Sequence, residues 1–151
     1  MFRRMKRYDA VLIVLQMIAL QSWYYALLGA YFACCHLLFG LTLNMDRFFD
    51  VHTKLSLATQ SAFLELAGVL GVGIGGAWLL AIIVEKSRKC LDFAATLYAA
   101  HLFASLCYSG FAVPRWTWWL VHGAALIGMV VLGEYLCSRR ELREIPLATI
   151  G

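Results

Sequence analysis

Three sets of residues are of types that could do chemistry. Glycines at 71, 73 and 76 in GVGIGG satisfy G-x-G-x-x-G, the turn that cradles a dinucleotide pyrophosphate. Glu65 and Glu134 are a carboxylate pair of the sort used for general acid and base work, and His36, His101 and His122 are metal ligands by type. Five cysteines, Cys34, Cys35, Cys90, Cys107 and Cys137, offer thiol chemistry. What each set can do depends on the elements that carry it.

The glycine fingerprint needs a strand before it and a helix after it. Its actual setting is LAGVLGVGIGGAWLLAIIV, Leu66 to Val84, without a charge or a turn signal. As one helix that run is about 28 Å long, close to the hydrocarbon thickness of a bilayer. A membrane span therefore replaces the nucleotide site. Gly71 and Gly75 then form G-x-x-x-G, with Gly68 one turn earlier, and are read as small residues for close helix packing, within the chain or between copies of a homo-oligomer.

The rest of the chain agrees with a membrane setting. Of 151 residues, 62% are hydrophobic and 15% charged, against about 25% charged in ordinary soluble domains. One soluble core could not hide so much apolar surface. Charge-free stretches predict four spans, near 10–39, 62–84, 92–113 and 116–138, with a short tail over 139–151. The fold class expected is an all-α membrane protein, a bundle of four transmembrane helices in a single domain. The first span exceeds what a bilayer needs, so it must tilt, kink or emerge. Its basic start and apolar run resemble a signal peptide, but the run is too long for one, and an uncleaved span is expected. Residues 40–60 form the only sizeable connection, with weak signs of an interfacial helix.

Arg3, Arg4, Lys6, Arg7, Lys86, Arg88, Lys89, Arg139, Arg140 and Arg143 fall on one side, ten of the thirteen basic residues. Arg47, Lys54 and Arg115 fall on the other. This bias predicts both termini in the cytosol. The net charge of +4 then belongs to topology and to anionic lipid, and calls for no nucleic acid.

Topology also disperses the candidate chemistry. Glu65 lies near the lumenal end of span two and Glu134 near the cytosolic end of span four, about a membrane thickness apart. No H-x-x-x-H spacing links the histidines, so each is expected to make an interhelical hydrogen bond. Gln16 and Gln21 are read as internal polar contacts. The absence of C-x-x-C argues against thiol–quinone chemistry. Cys34 or Cys35 could bridge to Cys107 near the lumen, or stay as buried thiols. Cys90 and Cys137 lie near the cytosolic boundary, where acylation is an option. Trp116, Trp118 and Trp119 are read as an interfacial belt. No catalytic residue, cofactor or metal site is expected.

Several motifs together resemble the SYS family of Golgi membrane proteins. They are Lys89-Cys90-Leu91-Asp92-Phe93, Thr117-Trp118-Trp119-Leu120-Val121 and GEYLCSRRELREIPL from Gly133 to Leu147. Span one adds Asp9, Gln16, Gln21, Tyr24-Tyr25 and Gly29; the connections add Asp46, Phe49-Asp50 and Tyr108-Ser109. The similarity runs over about residues 8–147, in order and spacing. Ala10 stands where the family often has proline, and GVGIGG is not a family hallmark.

The resemblance implies a four-span resident of the Golgi, chiefly its trans side, with cytosolic termini. It implies a membrane receptor for an Arf-related small GTPase whose N-terminus is acetylated, in traffic between endosomes and the trans-Golgi, and no enzymatic activity. The motif residues concentrate on the cytosolic ends of spans two to four. Lys86, Arg88, Lys89, Asp92, Glu134, Arg139, Arg140 and Glu141 are therefore the candidate partner-binding set. Asp92 and Glu134 have two readings, helix pairing with nearby basic residues or direct partner contact. Two other functions fit the same outline: a small proton-coupled transporter using Glu65, and a Golgi scaffold without a GTPase partner.

Overall fold

A computed structural model describes residues 2–52, 59–84 and 87–143, with side chains for 10–52, 59–84 and 87–142. Four long helices carry the chain: α1 (Phe2–Phe39), α3 (Gln60–Ile83), α4 (Cys90–Tyr108) and α5 (Trp116–Arg143). Between the first two lies a single turn, α2 (Asp46–Phe49), and a 3₁₀ turn, Ser87–Lys89, leads into α4. All four long helices contain a stretch long and apolar enough to cross a bilayer. The fold is the all-helical four-span class expected.

A stretch without proline, free of charge from Ala10 onward, lets α1 continue for 38 residues, about 57 Å at the helical rise. It stops at Gly40, whose φ of +66° closes the helix with its N–H donated to the His36 carbonyl at 3.0 Å. Gln16 Nε2 donates to the carbonyl of Ile83, the last residue of α3, at 2.8 Å. Farther along, the Tyr31 hydroxyl donates to the Leu64 carbonyl at 2.9 Å. The two helices therefore run antiparallel, and the start of α1 continues past the end of α3. The chain alternates between two ends of the bundle, one shared by the start of α1 and the end of α5.

The helices are apolar on every side, as lipid requires. The inward face is nevertheless well defined. Leu20, Tyr24, Leu28 and Phe32, each four residues apart, line α1 and are at most 2% exposed. They pack with Leu80 of α3, Phe93 and Leu97 of α4, and Met129 of α5. Outward residues such as Leu12, Ile18 and Ile127 are left for lipid.

The most extensive helix pair is α3 with α5, and glycine makes it close. A Cβ on Gly73 would sit 3.3 Å from the Ala125 carbonyl oxygen and from the Tyr98 hydroxyl; one on Gly76 would sit 3.0 Å from Met129 Cε. Gly68 lies against the Tyr31 ring, where a Cβ would be 2.6 Å from Cε1. Gly71 departs from its expected packing role within the chain, since a Cβ there meets nothing within 4 Å. Gly75 has ordinary room, 3.5 Å from Leu27 Cδ1. The inward set is Gly68, facing α1, with Gly73 and Gly76, facing α5, because the face of α3 that meets α5 is rotated from the 71/75 stripe.

Candidate functional site

At the end shared by the two termini, α5 clamps the connection between α3 and α4. The Glu141 carboxylate accepts from the Ser87 backbone N–H at 3.2 Å and the Ser87 hydroxyl at 3.1 Å. These contacts satisfy donors at the entry to α4, where a helix leaves its first N–H groups unpaired and negative charge is favoured. Arg140 Nη1 donates to the Ala81 carbonyl at 2.7 Å, in the last turn of α3. Below them the Cys90 and Cys137 sulfurs lie 3.4 Å apart, both 0% exposed. That burial leaves neither thiol presented for acylation in the folded bundle.

The proposed partner-binding residues thus divide into two kinds. Arg140 and Glu141 are engaged in holding their own chain together. Arg88, Lys89, Asp92, Glu134 and Arg139 are exposed around the clamp, and the Arg139 guanidinium lies 5.5 Å from the centre of the Tyr135 ring. Glu134 makes no ion pair among the described residues, so of its two readings the pairing with a nearby cation is not found there. Lys86 lies outside the described residues, as do the side chains of Arg3, Arg4, Lys6, Arg7 and Arg143. The rim offers mixed surface charge held on helix ends, which suits recognition.

At the opposite end, the connection that carried weak signs of an interfacial helix packs into the bundle through α2 as a plug. Phe48 of α2 packs edge-on against Phe32, with ring centres 5.2 Å apart, and Phe49 lies 6.0 Å from His101 and 5.7 Å from Tyr108. The Tyr108 hydroxyl donates to Asp46 Oδ1 at 2.7 Å, and the Arg115 N–H donates to the Val51 carbonyl at 2.9 Å. Arg47 pairs with Glu65 and also donates to the Thr42 carbonyl. A 40 Å³ cavity beneath, bordered by this pair with Asp50, His101, Trp118 and His122, has room for about three waters.

The histidines take three different roles. His101 alone makes an interhelical hydrogen-bond contact, its Nδ1 3.1 Å from the Tyr25 hydroxyl. His122 Nδ1 bonds instead to the Trp118 carbonyl of its own helix at 3.0 Å, while its ring stacks on Trp118 at 4.0 Å. His36 Nδ1 bonds locally to the Leu41 carbonyl at 2.6 Å. Trp118 is only 5% exposed and so leaves the interfacial belt, whereas Trp116 and Trp119 remain exposed. Cys34 and Cys107 are exposed thiols, and Cys35 is buried. Among the described residues no cluster of three or more His, Cys, Asp or Glu is arranged to hold a metal ion.

Glu65 sits in the second turn of α3 with a guanidinium partner, which gives it the work of fastening the plug. Glu65→Gln should lower the thermal midpoint in detergent by the equivalent of about 1–3 kcal/mol, between the values for exposed and buried pairs. Changing both Arg47 and Glu65 to methionine should recover most of the loss. A proton-carrying Glu65 predicts the reverse: unchanged stability, and loss of a proton-coupled flux in vesicles.

Comparison with known proteins finds a family profile, SYS1, described as an integral membrane protein linking to the trans Golgi network, matching residues 3–147. The chain is 33% identical over 141 residues to a protein SYS1 homolog of Nematostella vectensis, covering 93% of this chain and 88% of that one. It is 32% identical over 148 residues to a protein SYS1 homolog of Dictyostelium discoideum; the match takes in 97% of this chain and 62% of that longer protein. Protein SYS1 of Saccharomyces cerevisiae is 25% identical over 139 residues, covering 86% of this chain and 64% of that one. No solved structure matches the chain.

Proposed function

The chain belongs to the SYS1 family of integral membrane proteins, and from that membership we propose that it is a trans-Golgi receptor recruiting an Arf-related small GTPase with an acetylated N-terminus. Recruitment supports vesicle traffic between endosomes and the trans-Golgi. Both termini face the cytosol, as the distribution of basic residues favours. The protein works by binding, without catalysis. The observation that carries the reading is the family match across residues 3–147. The exposed charges Arg88, Lys89, Asp92 and Glu134, fixed on helix ends around the Glu141 clamp, supply a surface for it.

Physical chemistry gives such a receptor a task. A single myristoyl chain gives only marginal membrane anchoring, and an acetylated amphipathic helix lacks even that. Bilayer contact alone therefore holds the GTPase weakly and on any membrane. Contacts with a resident protein add affinity at one location. The receptor's share need be only a few kcal/mol, because each 1.4 kcal/mol changes occupancy tenfold.

Proximity labelling from a tag on the C-terminus tests this reading against a scaffold with no GTPase partner. An Arf-family GTPase should be enriched over a control tag on another multi-span Golgi protein, and should leave the Golgi when the chain is depleted. Depletion that leaves the GTPase in place would refute recruitment. A C-terminal tag digested only after the membrane is opened would reverse the orientation.

A further inference from the structure

On the lipid side of α3, Ile74, Gly75, Trp78 and Ile82 form the floor of an apolar trough of about 680 Å³. Trp23 and Leu27 of α1 wall one side, Leu132 and Leu136 of α5 the other. Among the described residues no charged side chain lines it. Towards the termini it meets a second hollow of about 250 Å³ that shares Trp78, Ile82 and Leu136 and ends at Arg139 and Arg140. We propose that this continuous trough binds one anionic phospholipid, with an acyl chain along α3 and the phosphate at the two arginines.

Dimensions and polarity select this occupant. From Ile74 to Ile83 the trough follows nine helical rises, about 14 Å, and one leaflet contributes about 15 Å of hydrocarbon. An acyl chain entering at the basic end would reach about as far as the trough does. Among the described residues a peptide helix would find no polar side chain along the apolar part beyond the Trp23 and Trp78 indoles to fix its register. Charge is concentrated at one end, which matches an amphiphile with a single anionic head. Arg140 is anchored by its bond from Nη1 to the Ala81 carbonyl, and a guanidinium has five N–H donors, so others are left for a phosphate. Arg139 is exposed beside it. Gly75 keeps the floor low, since a larger side chain would rise beside Leu27.

The site is separate from the proposed GTPase contacts at Arg88 and Lys89, and it stands without them. Its test uses the full chain reconstituted in phosphatidylcholine vesicles, titrated with phosphatidylserine brominated on its acyl chains or with equally brominated phosphatidylcholine. The signal is the part of the tryptophan fluorescence lost in Trp78→Phe. Half-quenching should need about 25-fold less brominated phosphatidylserine, the preference expected from two basic contacts of about 1 kcal/mol each. Arg139→Gln should cut that preference to about fivefold, the share of the remaining Arg140, whereas Arg139→Lys and Lys6→Gln should keep it. Matching thermal midpoints verify that the Arg139 variants are folded. Equal half-quenching by the two lipids overturns the proposal. So does a preference left unchanged by Arg139→Gln, which reduces the effect to general attraction. Absence of Trp78 quenching, together with cross-linking of Gly71→Cys copies to each other, would assign the trough to a second copy and overturn it as well.

Discussion

Replacing Gly73 and Gly76 together with leucine should eliminate most of the folded protein, while Gly71→Leu leaves detergent-extracted material at its normal level and thermal midpoint. The first pair lies where α3 and α5 are closest. A Cβ at Gly73 already presses on the Ala125 carbonyl at 3.3 Å, and backbone cannot swing aside. A leucine adds three further carbons. Overpacking of a tight site costs about 1–3 kcal/mol for modest additions, and two adjacent sites together approach the 5–15 kcal/mol that holds a typical domain. Alanine separates the two positions. Gly76→Ala meets the mobile end of Met129 and should be mild; Gly73→Ala meets backbone and should be measurably worse. A thermal series in detergent gives the order. Harm from Gly71→Leu equal to that from Gly73→Leu would mean that the α3–α5 interface is wrongly placed.

The same helix shows what could be read beforehand. Four spans are visible because length and the absence of charge identify a membrane helix without any knowledge of its neighbours. The face of α3 is not visible, because a helix apolar all round carries no contrast between inside and outside. The G-x-x-x-G at Gly71 and Gly75 is a local spacing rule, whereas Gly73 and Gly76 are chosen by Ala125 and Met129 of α5. Those residues are about fifty positions away in the chain.

The plug was hidden for a related reason. Four helical residues, Asp46 to Phe49, are too few to display a period. Their stability comes from rings on α1 and α4 and from Arg47 with Glu65. One signal was present: Tyr25, Asp46, Phe49 and Tyr108-Ser109 all belonged to the family resemblance. The structure gathers them at one end, through Tyr25 with His101, Tyr108 with Asp46, and the Ser109 hydroxyl bonded to the Phe49 carbonyl at 3.4 Å. At the other end the residue types were right for a surface, but sequence could not separate exposed Arg88 and Lys89 from Arg140 and Glu141. That distinction rests on contacts reaching more than fifty residues along the chain.

This division sharpens the test of recruitment. Arg88→Glu with Lys89→Glu should release the GTPase from the Golgi, with occupancy falling about tenfold or more if the two contacts together supply at least 1.4 kcal/mol. The receptor should stay folded and in place, because exposed charges remote from structural contacts usually cost little stability. Arg140 is left intact, since its reversal would strip the Ala81 carbonyl of its donor, and Arg139 is spared because it borders the lipid trough. Attraction of the GTPase-bearing membrane surface is a second route to the same loss, as each basic residue near an anionic leaflet contributes about 1 kcal/mol. Lys6→Glu with Arg7→Glu controls for it, placing the same charge change at the same end on α1. Imaging of GTPase and receptor in the same cells gives the readout. Equal release by both pairs reduces the effect to general electrostatics, and no release by either moves the docking surface away from this rim. Selective release by the Arg88 and Lys89 pair identifies the connection into α4 as part of the receptor face. A further reversal at Asp92 or Glu134 that also releases the GTPase would then extend that face across the ends of α4 and α5.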